Sequence, residues 1–155
     1  MLYATPYELI QQLPKGYRIL GIDPGSKQIG LALSDVTLML ASPFATVKRG
    51  KVLVFAQYLQ ELAQKEQVGG LICGLPLSLD GDFGPAAQAA RDWITAVSNA
   101  SQLPACLWDE RLSSSAVNRF LINEADLSRK KRNAVVDKMA ASYTLQAALD
   151  ASKNQ

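Results

Sequence analysis

The most informative absence in this chain is histidine, since none of its 155 residues is one. Ser-His-Asp and Cys-His nucleophiles, the H-E-x-x-H zinc site and acid–base catalysis by imidazole are therefore excluded. An enzyme built from this sequence has carboxylates, Lys, Tyr, Cys and bound metal as its tools. Hard oxygen ligands such as carboxylates favour Mg²⁺ or Mn²⁺.

Cysteine and long apolar runs are also scarce. Cys73 and Cys106 are the only two cysteines, and their apolar neighbours favour buried thiols in a reducing compartment over a disulfide or a metal site. No run approaches the roughly 20 apolar residues of a membrane-spanning helix. Residues 1–15 do not combine a basic start with a long apolar stretch, so we expect a cytoplasmic protein with no membrane partner.

A strong charge of one sign is the third absence. The formal net charge is +2, so any surface that binds a polyanion has to be local. The composition, 48% hydrophobic against 19% charged residues, is sufficient for a packed core, and no linker or repeat divides the chain. We therefore expect a single domain over residues 1–155, in which the leader 1–17 has no functional interpretation.

The apolar pattern changes along the chain from short apolar runs to helical spacing. It first predicts three strands whose short links make them antiparallel neighbours, at 18–23, 29–34 and 42–47. It then predicts a helix at 51–65, a strand at 68–73, a helix at 84–97, a strand at 105–109, a helix from 113 and a last helix at about 133–150. This order predicts an α/β fold with a mixed five-stranded sheet flanked by helices.

Asp23 stands between two apolar runs that look like strands, in the stretch RILGIDPGSKQIGLALSD over residues 18–35. An ionised carboxylate in an apolar setting is costly unless it is paired or binds a metal. The stretch therefore indicates an acid held at the end of a strand. A hairpin with Asp23 in its turn is the alternative interpretation.

Two further segments bring acids that could join Asp23. Asp109 and Glu110 follow an apolar strand, and alternation directs one of them toward the active edge of the sheet; capping of the next helix is the alternative. Asp137 borders the packed face of the last helix. It lies on a line with Ala141, Thr144 and Ala148, beside a stripe of Val136, Met139, Ala140 and Tyr143.

Acids from three separate elements, converging without histidine, are the arrangement that two-metal phosphoryl transfer requires. Two divalent ions about 4 Å apart clamp the attacking and leaving oxygens of the reaction. A metal also lowers the pKa of a bound water, so no imidazole base is needed. This chemistry is the first functional hypothesis for the sequence.

Four blocks resemble, in order, the signature blocks of the YqgF-type (RuvX-like) family. They are GIDPGSKQIGLALSD at 21–35, GLPLSLDGDFGP at 74–85, DERLSS at 109–114 and VVDKMAASYTLQ at 135–146. That family is described as pre-16S ribosomal RNA nucleases and Holliday-junction-resolvase-like proteins of ribonuclease H-like fold. The resemblance implies that Asp23, Glu110 and Asp137 are the catalytic, metal-binding acids, with Asp109 the less favoured partner of Glu110.

The resemblance also bears on the backbone around the acids. It implies that Gly25 keeps the backbone clear beside the metals, and that Gly74 and Pro76 end the central strand at the same edge. The family pattern has Lys-Arg where this chain has Lys27 and Gln28, so one substrate-facing cation is missing.

Basic residues indicate where a nucleic acid would lie. The run Arg129, Lys130, Lys131 and Arg132 precedes the last helix, and it is either a solvated loop without function or a mobile arm that meets the phosphodiester backbone. Lys27 and Arg111 extend the set of candidate substrate-binding residues. Trp93 and Trp108 have apolar neighbours, so we expect them in the core and not as stacking platforms for bases.

The sequence thus predicts a Mg²⁺- or Mn²⁺-dependent nuclease, and the resemblance implies precursor rRNA as substrate, with 5′-end processing of pre-16S rRNA as the task. One alternative is a resolvase of branched DNA, expected to act as a homodimer because paired cuts need paired sites. A second is a non-catalytic nucleic-acid-binding factor. An ATPase or phosphotransferase ranks last, because the chain lacks a Walker loop and is short for a two-lobed cleft.

Overall fold

The structure, a computed structural model, describes residues 1–25, 27–75, 84–109 and 129–153, and in the last range it describes side chains from residue 138 onward. The strands in these ranges are β1 (Leu2–Tyr3), β2 (Arg18–Pro24), β3 (Gln28–Ser34), β4 (Ala41–Lys48), β5 (Val68–Leu75) and β6 (Ala105–Asp109). The helices are α1 (Pro6–Gln11), α2 (Val52–Glu66), α3 (Pro85–Ser101) and α4 (Arg129–Ser152). The helix expected from residue 113 lies outside the described residues.

The strands form one mixed sheet in the order β1-β6-β5-β2-β3-β4. β2, β5, β6 and β1 run parallel, whereas β3 is antiparallel to both β2 and β4. The predicted α/β fold with a mixed sheet and flanking helices is confirmed. The sheet has one strand more than predicted, because Leu2 and Tyr3 of the leader pair with Ala105 and Cys106 at the edge of β6.

The helix boundaries follow local signals. Thr5 caps α1 by accepting a 3.2 Å hydrogen bond from the Glu8 backbone N–H, and Pro85 occupies the first turn of α3 after Gly84. No helix in the described ranges is long and apolar enough to cross a membrane.

The last helix begins earlier than predicted. α4 starts at Arg129, so the basic run 129–132 forms its first helical turn, and the prediction of a loop or mobile arm there was wrong. Arg and Lys are among the better helix formers, and the run contains no Gly or Pro that would break the helix.

The sheet separates two apolar cores. Successive residues of a strand face opposite sides, so Leu20 and Ile22 of β2 pack toward α2 and α3, whereas Ile19 packs toward α4. The core on the α2–α3 side includes Phe55, Leu59, Leu71, Cys73, Trp93 and Ile94. The core on the α4 side includes Leu9, Ile72, Cys106, Ala141, Leu145 and Leu149. By the same alternation, Gly21 and Asp23 face α4.

Small residues allow α4 to approach the sheet closely. A Cβ placed on Gly21 would lie 2.8 Å from the Cβ of Leu145 and 3.1 Å from the carbonyl oxygen of Ala141. The predicted line of Ala141, Thr144 and Ala148 is buried, at 0%, 1% and 0% exposure. Tyr143 was wrongly assigned to the packed stripe, since it is 46% exposed. Its place on the flank of the helix leaves its polar hydroxyl near water.

Both cysteines are buried, as predicted, and neither is in a disulfide. Burial, with a smaller contribution from the charge of Glu8, raises the pKa of Cys106 to about 12. The Cys106 thiol therefore stays protonated at neutral pH and acts as a small apolar side chain. The predicted core position of Trp93 is also confirmed, since this side chain is 8% exposed.

Gln146 joins α4 to the loop between β3 and β4. Its Oε1 accepts from the Ala41 N–H at 2.8 Å, and its Nε2 donates to the Met39 carbonyl at 2.9 Å. We expect Gln146→Leu to lower the free energy of unfolding by about 1–3 kcal/mol, because it leaves both backbone groups without these partners. Gln88→Leu is the matched control, because within the described residues the Gln88 side chain bonds Asp92 alone, on an exposed helix face; it should cost less than about 0.5 kcal/mol. If urea titrations show equal losses of unfolding free energy in the two variants, Gln146 does not stabilise the contact between α4 and this loop.

Asp35 organises the same loop. The Thr37 hydroxyl donates to its carboxylate, as do the Leu40 N–H at 3.1 Å and the Met39 N–H at 2.8 Å, and together they lower its pKa from 3.8 to about 2. Because the folded-state pKa is depressed, this stabilisation is present above about pH 4 and is lost as the pH falls through 2. We therefore expect the stability difference between wild type and Asp35→Asn to shrink between pH 4 and pH 2 in denaturant titrations. If the difference in unfolding free energy between the two proteins does not change with pH, the ionised Asp35 carboxylate does not stabilise this loop.

Candidate active site

Three parallel strands end at one edge of the sheet. Ile22 of β2 pairs with Cys73 of β5, which in turn pairs with Leu107 of β6. Asp23 is therefore level with Trp108, and because neighbouring strands are about 4.8 Å apart, roughly 10 Å separates their backbones. Asp23 is partly buried at this edge, at the end of a strand as the sequence predicted. Glu110, which follows β6 directly, lies outside the described residues.

The alternation of side chains along β6 shows which face of the sheet Asp109 lies on. Leu107 packs against the core on the α2–α3 side, and Trp108 packs against the core on the α4 side. Alternation thus places Asp109 on the α2–α3 face, whereas Asp23 is on the α4 face. Asp109 and Asp23 are therefore on opposite faces of the sheet.

The direction of α4 can be followed along β2. Gln146 contacts Ala41, which pairs with Ser34, and the Ser34 hydroxyl accepts from the Ile19 N–H near the start of β2. Further toward its N-terminus, α4 passes over Gly21 with Leu145 and Ala141. Asp137 is one helical turn before Ala141. The backbone of that turn therefore lies toward the end of β2, the end that carries Asp23.

The turn after Asp23 requires glycine. The Gly25 N–H donates to the Gln28 carbonyl oxygen at 2.9 Å, and a Cβ on Gly25 would collide with that same oxygen. The tightness of the turn itself thus gives a local reason for glycine at this position. The turn fixes where the chain leaves Asp23 and begins β3.

Arg49 braces this turn, although no sequence pattern singled out this residue. Its Nη1 donates to the Gly25 carbonyl at 2.9 Å, its backbone N–H donates to the Lys27 carbonyl at 2.9 Å, and its guanidinium lies 5.0 Å from the ring centroid of Trp93. A cation over an aromatic ring is attracted by the ring quadrupole. Because these contacts join residues far apart in sequence, no local pattern could have indicated them.

The remaining candidate residues are distributed as follows. Lys27 is exposed in the turn after β2, and Asp137 belongs to α4, as do Arg129, Lys130, Lys131 and Arg132. Arg111 lies outside the described residues. Among the side chains that the structure describes, no three acidic or sulfur ligands are grouped closely enough to hold a metal ion, and two of the three predicted acids, Glu110 and Asp137, are not among them.

Comparisons with known proteins cover nearly the whole chain. The RuvX family profile, described as Holliday junction resolvase, matches residues 17–151. A relative from Gluconacetobacter diazotrophicus is 60% identical over 146 residues, or 94% of this chain and 95% of the relative. One from Gluconobacter oxydans is 60% identical over 149 residues, or 96% of this chain and 93% of the relative. Both relatives carry the name "Putative pre-16S rRNA nuclease".

A solved structure supports the fold. T. thermophilus RuvC in complex with a Holliday junction substrate matches with a TM-score of 0.54 and 15% identity, covering 90% of this chain and 97% of that protein. At this identity the likeness speaks for a shared fold of the RuvC type. The family match and the two relatives show the family: the chain belongs to the RuvX family of nucleases, which are hydrolases that act on phosphodiester bonds.

Proposed function

We propose that this protein is a Mg²⁺- or Mn²⁺-dependent nuclease that processes the 5′ end of pre-16S ribosomal RNA in the cytoplasm. The observation that carries the proposal is the position of Asp23. It ends a central parallel strand, faces the side covered by α4, and is followed by a turn that Arg49 braces. The substrate is supported by the names of the relatives, which refer to pre-16S rRNA.

Asp23, Glu110 and Asp137 are the proposed ligands of the metal. The sequence favours Glu110 over Asp109 as the partner of Asp23, because adjacent residues of an extended chain alternate and the structure has Asp109 on the face opposite Asp23. Three carboxylates in a protein without histidine form a donor set of hard oxygens, which suits Mg²⁺ or Mn²⁺. The bound ions would supply charge neutralisation at the scissile phosphate and a water of lowered pKa.

The protein's own residues position the substrate. The pairing of β2 on both sides and the turn braced by Arg49 fix the backbone on either side of Asp23, so this part of the site is formed before the substrate binds. Lys27, Arg111 and the first turn of α4, residues 129–132, are the proposed contacts to phosphates. Such contacts add affinity and register without reading sequence.

The experiment that tests the proposal compares two labelled substrates. One is an RNA that spans the 5′ end of the 16S sequence and its precursor extension; the other is a four-way DNA junction. We expect Mg²⁺ or Mn²⁺, but not EDTA, to support cutting of the RNA at the precursor boundary. Cutting of the junction alone, by a protein that is dimeric in light scattering, would favour the resolvase hypothesis. Salt-sensitive binding without cutting of either substrate would favour a non-catalytic factor.

A further inference from the structure

A groove outside the candidate active site lies between the end of β4 and the first turns of α2. Its volume is about 180 Å³, and its lining includes Lys48, Lys51, Val54, Phe55 and Tyr58. We call it the β4–α2 groove. A groove of this size accommodates a group as large as one nucleobase, and it is much too small for a duplex.

One wall of the groove is a fixed aromatic stack. The ring of Tyr58 stacks on Phe55 at a centroid distance of 6.3 Å and an interplanar angle of 15°. Phe55 in turn stacks on Trp93 at 5.5 Å and 23°. Tyr58 is partly exposed at the outer end of this stack, whereas Phe55 is only 6% exposed. A rigid, partly exposed aromatic ring is the platform on which unpaired bases stack.

The rim of the groove is positively charged. Lys48 and Lys51 are exposed, and among the described residues the only ion pair within 4.0 Å is the one between Arg18 and Glu66. Neither lysine is therefore neutralised by an acid of the described chain. On the far side of Tyr58, the adjoining groove is lined by Glu61 and Glu66 together with Lys65, and Glu66 is paired with Arg18. The two lysines without an acid partner in the described residues therefore favour a polyanion on the side of Lys48 and Lys51.

The groove is physically connected to the turn after Asp23. Lys48 pairs with Gln28 across the sheet, and Arg49, the next residue, donates to the Gly25 carbonyl. Arg49 also lies over Trp93, the inner member of the aromatic stack. The groove opens on the α2–α3 side of the sheet, whereas Asp23 faces α4. A single strand of nucleic acid held at the groove would therefore pass around the edge of the sheet at the Gly25 turn to reach Asp23.

We propose that the β4–α2 groove binds an unpaired nucleotide of the substrate, with its base against Tyr58 and its flanking phosphates at Lys48 and Lys51. The proposal rests on the nuclease function above and adds a single-stranded segment beside the site of cleavage to the description of the substrate. It gives the enzyme a reason to act where a precursor end is unpaired, because a base inside a duplex has no face available for stacking.

The test measures binding in EDTA, so that no cleavage is required. Labelled single-stranded RNA, single-stranded DNA and a blunt duplex are titrated with the full-length protein at several salt concentrations. We expect the double variant Lys48→Gln/Lys51→Gln to bind single strands at least tenfold more weakly. The slope of log affinity against log salt should flatten by about 1.4, since each lost phosphate contact contributes about 0.7 for a single strand. Comparing the affinities for single-stranded RNA and single-stranded DNA shows which of the two nucleic acids the groove prefers.

Aromatic variants test the stacking separately from the charge. Tyr58→Leu should weaken binding of single strands about tenfold and leave duplex binding unchanged, whereas Tyr58→Phe should bind as wild type does. Lys15→Gln, at an exposed lysine outside the groove, and Tyr7→Leu on α1 are the matched controls, and both should retain full affinity. Thermal unfolding of each variant checks that the fold is intact. The lysine variant removes no buried group, so it tests the proposal even if Tyr58→Leu fails to fold.

Two outcomes would overturn this inference. One is wild-type affinity and salt dependence in the lysine variant; the other is an equal loss of duplex and single-strand binding in folded Tyr58→Leu. Failure of the proposed function would look different. Wild-type protein would then bind single strands through the groove and cut none of the substrates when Mg²⁺ or Mn²⁺ is added.

Discussion

Asp23→Asn is expected to lower metal-dependent cleavage by at least about a thousandfold, equivalent to about 4 kcal/mol of transition-state stabilisation, while the protein stays folded. Asparagine keeps the size of the side chain and one oxygen acceptor, but it lacks the charge that offsets a divalent ion. Asp23 is at the end of β2 and only partly buried, so the variant should not lose the core packing of that strand. Single-turnover cleavage with saturating metal is the measurement.

The control for this variant is Asp92→Asn. Asp92 is an exposed acid of α3 whose carboxylate accepts from Gln88 at 2.8 Å, so the change removes the same charge from an exposed helix face. We expect it to cleave at the wild-type rate. Calorimetric titration with Mn²⁺ gives a second readout, in which Asp23→Asn should bind metal more weakly and Asp92→Asn should not. Full cleavage by Asp23→Asn would remove Asp23 from the catalytic set.

Gly21→Val should cause the largest loss of stability, about 2–3 kcal/mol in the free energy of unfolding. A Cβ at this position already approaches the Leu145 Cβ to 2.8 Å. The two further methyl groups of valine would overlap α4, so the helix has to shift away from β2. Because the turn with Asp137 is continuous with the displaced segment, we expect cleavage by the folded fraction to fall as well. Urea titration and cleavage assays at low temperature, where the variant is folded, separate the two effects.

Gly50→Ala is the stability control for this variant. A Cβ on Gly50 would meet no atom within 4 Å, so the substitution should change the free energy of unfolding by less than about 0.5 kcal/mol. A Gly21→Val protein as stable as wild type would show that α4 does not press on β2 as described. A destabilised variant with full cleavage in its folded state would show that the packing of α4 on β2 does not affect the active site.

Much of the fold was predictable because its signals are local. β2 and β3 are short apolar runs, short links join β2 to β4, and Pro85 marks the start of α3. β1 was missed because two residues carry no periodicity, and their pairing with β6 is decided about a hundred residues away. The wrong assignment of Tyr143 has a similar cause. A helical stripe fixes the packed face only to within one residue, and close contact with Gly21 selected its final rotation.

The candidate site was predictable to a smaller extent. An acid after an apolar strand is a readable pattern, and the structure places Asp23 as the sequence indicated. Whether Asp23, Glu110 and Asp137 bind metal together stays a prediction, because the side chains of Glu110 and Asp137 are not among those that the structure describes. Arg49 could not have been found from the sequence. Its role depends on Gly25 and Trp93, which are distant from it along the chain and adjacent only in the fold.

The way α4 is fastened has a consequence for when the protein becomes active. The hydrogen bond from Ala41 to Gln146 spans 105 positions of sequence, whereas β2, β3 and β4 are joined by neighbouring hairpins. Distant contacts form only after the entropy of the intervening chain is lost, so we expect the hairpins to form early and α4 to dock late. A nascent chain would then hold Asp23 in place well before residue 137 is made. If Asp23 and Asp137 act together as proposed, cleavage has to wait until α4 has been synthesised and has docked.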